Sequence, residues 1–516
     1  MKKLIYIATI ALGVLATSCA EDFLETTPTG TIDSEVVNEI MAADLEQMQA
    51  YISAGYDEVY CSWNTATNGN DIGMITEMLV SDLMGGDFAK PVDNYGWYVY
   101  DYQCDYRMAH WLRAYSFWAP FYYTITNCAN PVIAALSTLS ESELAANETA
   151  QSLLYQAYAL RALSLFKVVN YFQHPYQKDP EALGVPIIMD DPTKNVPGRA
   201  PVKDVYAQII ADLDAAYQLA EGKGFENGKA ALSEYSIAMI YANVLLFTGD
   251  YENAAKYAEE VMKAIGFEND PSTLIYNGFN DLAGMKDIIW GYDVTNETGN
   301  GYFMFMSYIC PFMTGAGYAG LGDVILIDEN LHKKINANDI RKAWWGTTLA
   351  PGMAPTDVIP EGWVANGWAP TVPNKFIAGA LLGGGFYEED VIYYRGAEAY
   401  FVAAEAYYLN KDEANAKKAL NAIMSSRIEG YNCTLSGDAL YEEICLQKRI
   451  EFWGEGKRLF DVKRRNEHVD RTASNHMPAN AIINQNYDGW DDLLIYQVPQ
   501  KEMDNNNAIS PDQQNP

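Results

Sequence analysis

The chain has 516 residues, enough for one large core or several small ones, and is 49% hydrophobic and 13% aromatic. Its 35 basic and 68 acidic residues leave a formal charge of −33, a surface that repels phosphate backbones and argues against nucleic acid as a partner. Seven cysteines with no C-x-x-C spacing argue against a disulfide framework and read mostly as small buried hydrophobes.

The first element is a targeting segment. Lys2 and Lys3 precede an apolar run from Leu4 to Ala16 broken only by Thr9, and small residues follow up to Cys19. The run is short of the ~20 apolar residues a spanning helix needs. Ala16-Thr17-Ser18-Cys19 resembles a bacterial lipobox, which implies cleavage before Cys19 and acyl chains on that residue. Two or more such chains hold a protein stably on a membrane. Glu21 and Asp22 directly behind the cysteine resemble a surface-export signal of Gram-negative lipoproteins. We therefore expect a signal peptide over 1–18, an acidic Thr/Pro tether over 19–30 and one domain over 31–516.

Residues 60–100 lack helical periodicity and read as an irregular insertion. A helix is expected from Ser152 to Phe172, stopped by Pro175; it is apolar nearly all round, so it is buried, and Arg161 inside it must find a carboxylate or carbonyl. A second helix follows to residue 220, a helix pair spans 233–265, and another spans 391–428. Tyr241–Met262 lies ungapped on Val402–Ile423 at a shift of 161, matching Ala242, Ala255, Lys256 and Ala258 with Ala403, Ala416, Lys417 and Ala419. Small residues at this spacing let paired helices stack, as in tetratricopeptide-like repeats. Residues 277–385, Gly- and Trp-rich, read as a second irregular insertion, and long ordered insertions are usually functional. In Leu446–Asn466, a continuous helix would put Glu451 one turn from Glu455, Glu455 beside Arg458, and Asp461 beside Arg464 and Arg465, a ladder that fixes helices.

Leu446–Asn466 and Leu494–Pro516 together resemble the closing signature of the SusD/RagB family of surface nutrient-binding lipoproteins. The resemblance extends to "SCAEDFLETTP", to Phe117–Ile133, to the helix around Arg161 and to Tyr394–Ala406. Lys457 stands where the family often has His, and Asn505–Ser510 is a loose form of the usual ending. The resemblance implies a mostly α fold: a scaffold of tetratricopeptide-like helix pairs whose long irregular insertions form the ligand-binding surface. It also implies a lipid-anchored outer-membrane protein that captures glycan, or in some members peptide, and closes as a lid over a SusC-like TonB-dependent transporter.

Motifs for chemistry are few. The five histidines are dispersed with no H-E-x-x-H, and there is no G-x-S-x-G or phosphate-binding P-loop. Gly315–Gly320 fits G-x-G-x-x-G but follows Pro311 in an irregular region, which favours a loop. Asp488, Asp491 and Asp492 lack EF-hand spacing and read as a solvated loop. No catalytic residue, metal ligand or cofactor is expected, although paired carboxylates for glycoside hydrolysis meet in space rather than in sequence, so a surface hydrolase stays open as a lesser alternative. The positive signal is aromatic: 11 Trp, 37 Tyr and 18 Phe crowd the insertions. A sugar offers an apolar C–H face ringed by hydroxyls, so flat rings beside Asn, Asp or Arg suit it. The resemblance places ligand contacts in loops of the N-terminal third and the middle. Within these, aromatic composition and loop position select Trp63, Asn94, Tyr95 and Trp97 from the first insertion, and Tyr302 and Phe303, carried on the Gly299-Asn300-Gly301 loop tip, from the second.

Overall fold

The computed structural model describes residues 45–62, 73–189, 196–313, 316–346, 366–382, 384–385, 387–478 and 484–516. The signal segment, Cys19, the tether and Trp63 lie outside the described residues. The fold is mostly helical, with three small two-stranded sheets among the described residues. No described helix is long and apolar enough to cross a membrane.

Among the described residues two helices come first, α1 (Leu45–Cys61) and α2 (Gly73–Gly85). The expected irregular insertion over 60–100 is corrected here, because α2 occupies its centre and all thirteen of its residues are buried. A helix enclosed on every side has no polar stripe, so it leaves no 3.6-residue signal to read.

The long helix α3 (Glu148–Phe172) starts where Asn147 accepts a hydrogen bond from the Ala150 amide and ends three residues before Pro175. Its Arg161 donates to both carboxylate oxygens of Asp212, at 2.8 and 2.7 Å, and to Asn130 Oδ1 at 3.0 Å. Asp212 belongs to α4 (Val202–Ala220), so this buried pair fixes the register of α3 on α4. Next come α5 (Glu234–Thr248) with α6 (Tyr251–Ala264), and α7 (Gly396–Leu409) with α8 (Glu413–Met424). Residues 391–395, expected to open the last pair, form a strand instead. The helices pack consecutively from α3 to α8, and α6 rests on α7 although the second insertion separates them in sequence. The helix pairs thus form one stack from which the insertion loops out.

The ungapped repeat needs a correction of one residue. The first helices of the two pairs close at Gly249 and Asn410, which keeps the shift of 161. The second helices are capped by Asp250, bonded to the Asn253 amide, and by Asp412, bonded to the Asn415 amide, a shift of 162. The extra residue is Lys411, whose φ of 67° turns the chain between α7 and α8. Buried Ala254 and Val261 then correspond to buried Ala416 and Ile423.

The second insertion contains no described helix longer than six residues. Strand β1 (Phe88–Ala89) of the first insertion pairs antiparallel with β3 (Leu326–Ile327) of the second. Strand β2 (Ile288–Tyr292) pairs with β4 (Val391–Arg395), joining the outgoing and returning limbs of the second insertion.

The C-terminal block is two helices, α9 (Asp438–Glu451) and α10 (Arg458–Arg465), around a turn with Gly454 at φ 79° and Gly456 at φ 73°. The expected ladder therefore breaks. Glu451 pairs with Arg341, Arg395 and Arg427; Glu455 pairs with Lys375 and Arg395; Arg458 pairs with Asp87 and Glu467. Only Asp461 meets its expected neighbours, Arg464 at 3.1 Å and Arg465 at 3.4 Å. Lys457 bonds Glu398 at 3.0 Å and lies over the Tyr394 ring.

Candidate functional site

The two insertions meet because β1 and β3 hold their bases together. Immediately beyond β1, buried Lys90 bonds buried Asp323 at 2.9 Å and the Trp97 carbonyl at 3.2 Å. Asp323 also accepts from the Asn94 amide at 3.3 Å, and Asn94 Nδ2 donates to the Gly322 carbonyl at 2.5 Å. A charge pair this buried adds little net stability, but its added hydrogen bonds set geometry, and here they lock loop 90–98 onto loop 316–323.

The tip of the first loop is an Asx turn, in which Asp93 Oδ1 accepts from the Gly96 amide at 2.7 Å. Gly96 adopts φ 78° with open space around it, and Tyr95 beside it is 51% exposed. On the second loop Gly301, at φ 57°, carries the chain into Tyr302, which is 40% exposed. Tyr318 lies at the centre of these rings. Its centroid is 5.6 Å from Tyr95, 5.0 Å from Trp97, 5.7 Å from Tyr302 and 5.4 Å from Tyr308. Trp97 also meets Phe303 edge-on at 5.8 Å.

The structure thus gathers Tyr95, Trp97, Tyr302 and Phe303 on one face, although the sequence separates them by some two hundred positions. Their exposure differs from expectation. Tyr95 and Tyr302 stand out as platforms, whereas Trp97 and Phe303 are half-buried and pack beneath them against the core. Trp97 is a supporting wedge rather than an exposed plate, since Tyr308, Tyr318 and Phe303 already occupy its edges. Asn94 is exposed, and its side-chain nitrogen is committed to the Gly322 carbonyl. Sequence reasoning missed Tyr318, Tyr308 and Tyr387. Tyr387 donates to the Ala316 carbonyl at 2.6 Å and lies 5.9 Å from Tyr302. The glycines around Tyr318 were a signal for a turn, and nothing in that pattern marks it as the hub.

Burial raises the hydroxyl pKa of Tyr318 and of Tyr387 above the ordinary phenol range, so both stay neutral donors and acceptors at physiological pH. The face therefore combines flat apolar rings with uncharged hydroxyls. Such a surface stacks a ring's C–H face and bonds its rim, and each ring that covers about 50 Å² contributes roughly 1 kcal/mol at ~25 cal/mol/Å².

Other sequence features find plainer places. Asp488 bonds His468, Asp491 accepts from the Asp488 amide, and Asp492 bonds His174. Among the described residues no group of three or more His, Cys, Asp or Glu could hold a metal ion. The described cysteines are free, and all but Cys445 are buried.

Comparison with known proteins gives consistent matches. Residues 331–516 match the model of the SusD family, and residues 22–226 match a SusD-like model described as starch-binding associating with outer membrane. No curated protein matches the sequence. Among solved structures, a SusD-like carbohydrate binding protein from Bacteroides vulgatus is similar with a TM-score of 0.75 at 20% identity, covering 91% of this chain and 98% of its own. A SusD superfamily protein from Bacteroides thetaiotaomicron gives 0.72 at 20% identity, covering 92% and 99%. Surface glycan-binding protein A from Bacteroides thetaiotaomicron, in complex with laminarihexaose, gives 0.63 at 18% identity, covering 91% and 99%. At these identities the likeness is one of fold.

Proposed function

We propose, from the premise that this chain belongs to the SusD/RagB family, that it is a surface glycan-binding lipoprotein that hands oligo- or polysaccharide to a SusC-like TonB-dependent transporter and does not cleave it. The observation that carries the glycan reading is the aromatic face at the junction of the insertions, where exposed Tyr95 and Tyr302 flank Tyr318. A peptide groove would favour an exposed strand edge, and the described loops at 90–98 and 301–323 contain no strand. The laminarihexaose held by a structural neighbour supports the same ligand class. The −33 charge suits a neutral ligand. The family premise supports the transporter as partner, and the lipobox-like segment supports anchoring through Cys19.

One preparation tests the reading. The full chain should partition with outer membranes and co-purify with a transporter of the SusC type, and Cys19→Ala should release it still folded. The released protein should be retarded in native gels containing at least one of starch, laminarin, dextran, xyloglucan or arabinogalactan, with no new reducing ends. Retention by peptide pools alone, or steady release of sugar ends by the pure protein, would contradict it.

A further inference from the structure

A second group of rings follows the Tyr95 loop in the chain. Tyr100 is 48% exposed and Trp111 36% exposed, and their rings are 5.9 Å apart at 21°, close to parallel. Tyr106 closes the group at 5.5 Å from Tyr100 and 5.0 Å from Trp111, and exposed His110 lies beside Trp111 at 5.2 Å. Exposed rings on so acidic a surface require an explanation, because large apolar groups gathered at the surface mark interaction sites.

The group is held rigidly. Behind Tyr106 sits buried Arg113, 5.6 Å from the ring centroid and paired with Asp101 at 2.8 Å. The loop that carries Tyr106 and Trp111 is fixed to the C-terminal segment: the Gln497 amide donates to the Arg107 carbonyl at 2.8 Å, and the Gln500 amide donates to the Ala109 carbonyl at 3.0 Å. The rings are therefore a pre-set surface, which lowers the ordering cost of binding.

A cavity of about 180 Å³ joins this group to the first face, since Tyr95 and Trp97 line it together with Tyr100 and Tyr106. That is below the ~300 Å³ at which sites for whole drug-sized ligands begin, so it is a space for one part of a longer ligand. We propose that Tyr100, Tyr106 and Trp111 form a second carbohydrate-stacking subsite, continuous through this cavity with the Tyr95–Tyr318–Tyr302 face. The occupant is an oligosaccharide long enough to cover both, with His110 and Asp105, whose amide bonds the Tyr100 carbonyl, as polar groups at its edge. The inference rests on the glycan reading above and adds to it a requirement for chain length.

The test uses a disaccharide and a hexasaccharide of whichever polysaccharide retards the full chain in the gel panel, titrated calorimetrically. The wild type should bind the hexasaccharide well over tenfold more tightly than the disaccharide. In Tyr100→Ala/Trp111→Ala that ratio should fall by about tenfold, which is one decade for each 1.4 kcal/mol, and Trp111→Phe should restore most of it. Tyr95→Ala should weaken both sugars. Should the double variant melt early, Trp111→Ala alone, at the rim, carries the same comparison. An unchanged ratio in a folded variant overturns the second subsite and leaves the first face standing. Loss of binding in the Tyr100/Trp111 variant with none in Tyr95→Ala would support these rings and overturn the first face. No retardation of the wild type by any polysaccharide overturns both.

Discussion

Glu451 is fully buried between Arg341, Arg395 and Arg427, at 3.1, 3.4 and 3.0 Å. Burial alone would raise its pKa, but the charges of Arg427, Arg395 and Arg341 override that effect and hold the carboxyl far below its ordinary range. Glu467 shows the same balance with less burial. Desolvation raises it, and Arg458, Arg465 and Arg449 bring it down to about 2. A carboxylate depressed in the folded state contributes stability that is present above its unfolded pKa, here 4.5, and is lost as pH falls toward 2. We expect the melting temperature to fall steeply between about pH 4.5 and pH 2. Glu467→Gln should cost roughly 2 kcal/mol at neutral pH, after discounting for partial exposure, and flatten that acid limb. Melting curves across the range check this, and parallel acid limbs for wild type and variant would contradict it. The need of Arg161 for a carboxylate or carbonyl partner was legible in the sequence, because a charge on an all-apolar helix has to be paired. The partners of Glu451 were not legible, because they come from segments remote in sequence and a continuous-helix reading hides the turn after residue 451.

That turn belongs to the elements. Gly454 turns the chain between α9 and α10 at φ 79°, and a Cβ there would sit 2.4 Å from the Phe376 ring. A side chain in this left-handed region costs roughly 1–2 kcal/mol before any clash. Gly454→Ala should therefore destabilise the protein by about 2 kcal/mol or more, with early melting and intact secondary structure at low temperature. A variant that melts with the wild type would show that the turn relaxes freely. Helices α4, α6 and α8 were legible because each buries a periodic face, whereas α3, α5 and α7, buried on most sides, were legible from their length, from Pro175 and Gly249 that stop two of them, and from the repeat that matches α5 with α7. Helix α2 was not, since burial on all sides removes the contrast on which periodicity depends. The one-residue slip between the helix pairs was hidden for a related reason: Ala recurs on both registers, and only the capping bonds of Asp250 and Asp412 distinguish 161 from 162.

At the scale of the whole molecule, a stack of helix pairs carries two insertions, and the β1–β3 pairing with the Lys90–Asp323 contact brings their tips together. Aromatic composition and glycine placement were enough to single out Tyr95 and Tyr302. They could not separate exposed rings from supporting ones, because Trp97 and Phe303 differ from them only in what lies beneath. Nor could they indicate Tyr318, whose role depends on two loops converging. If this convergence makes a sugar-stacking face, the affinity of Tyr95→Ala/Tyr302→Ala for the polysaccharide that retards the wild type, read together with its melting temperature, must show it. Two lost platforms at roughly 1 kcal/mol each predict binding weakened by about thirtyfold. The melting temperature should stay nearly unchanged, because both rings are at the surface. Wild-type affinity in that folded variant would show that glycan binds elsewhere on the molecule.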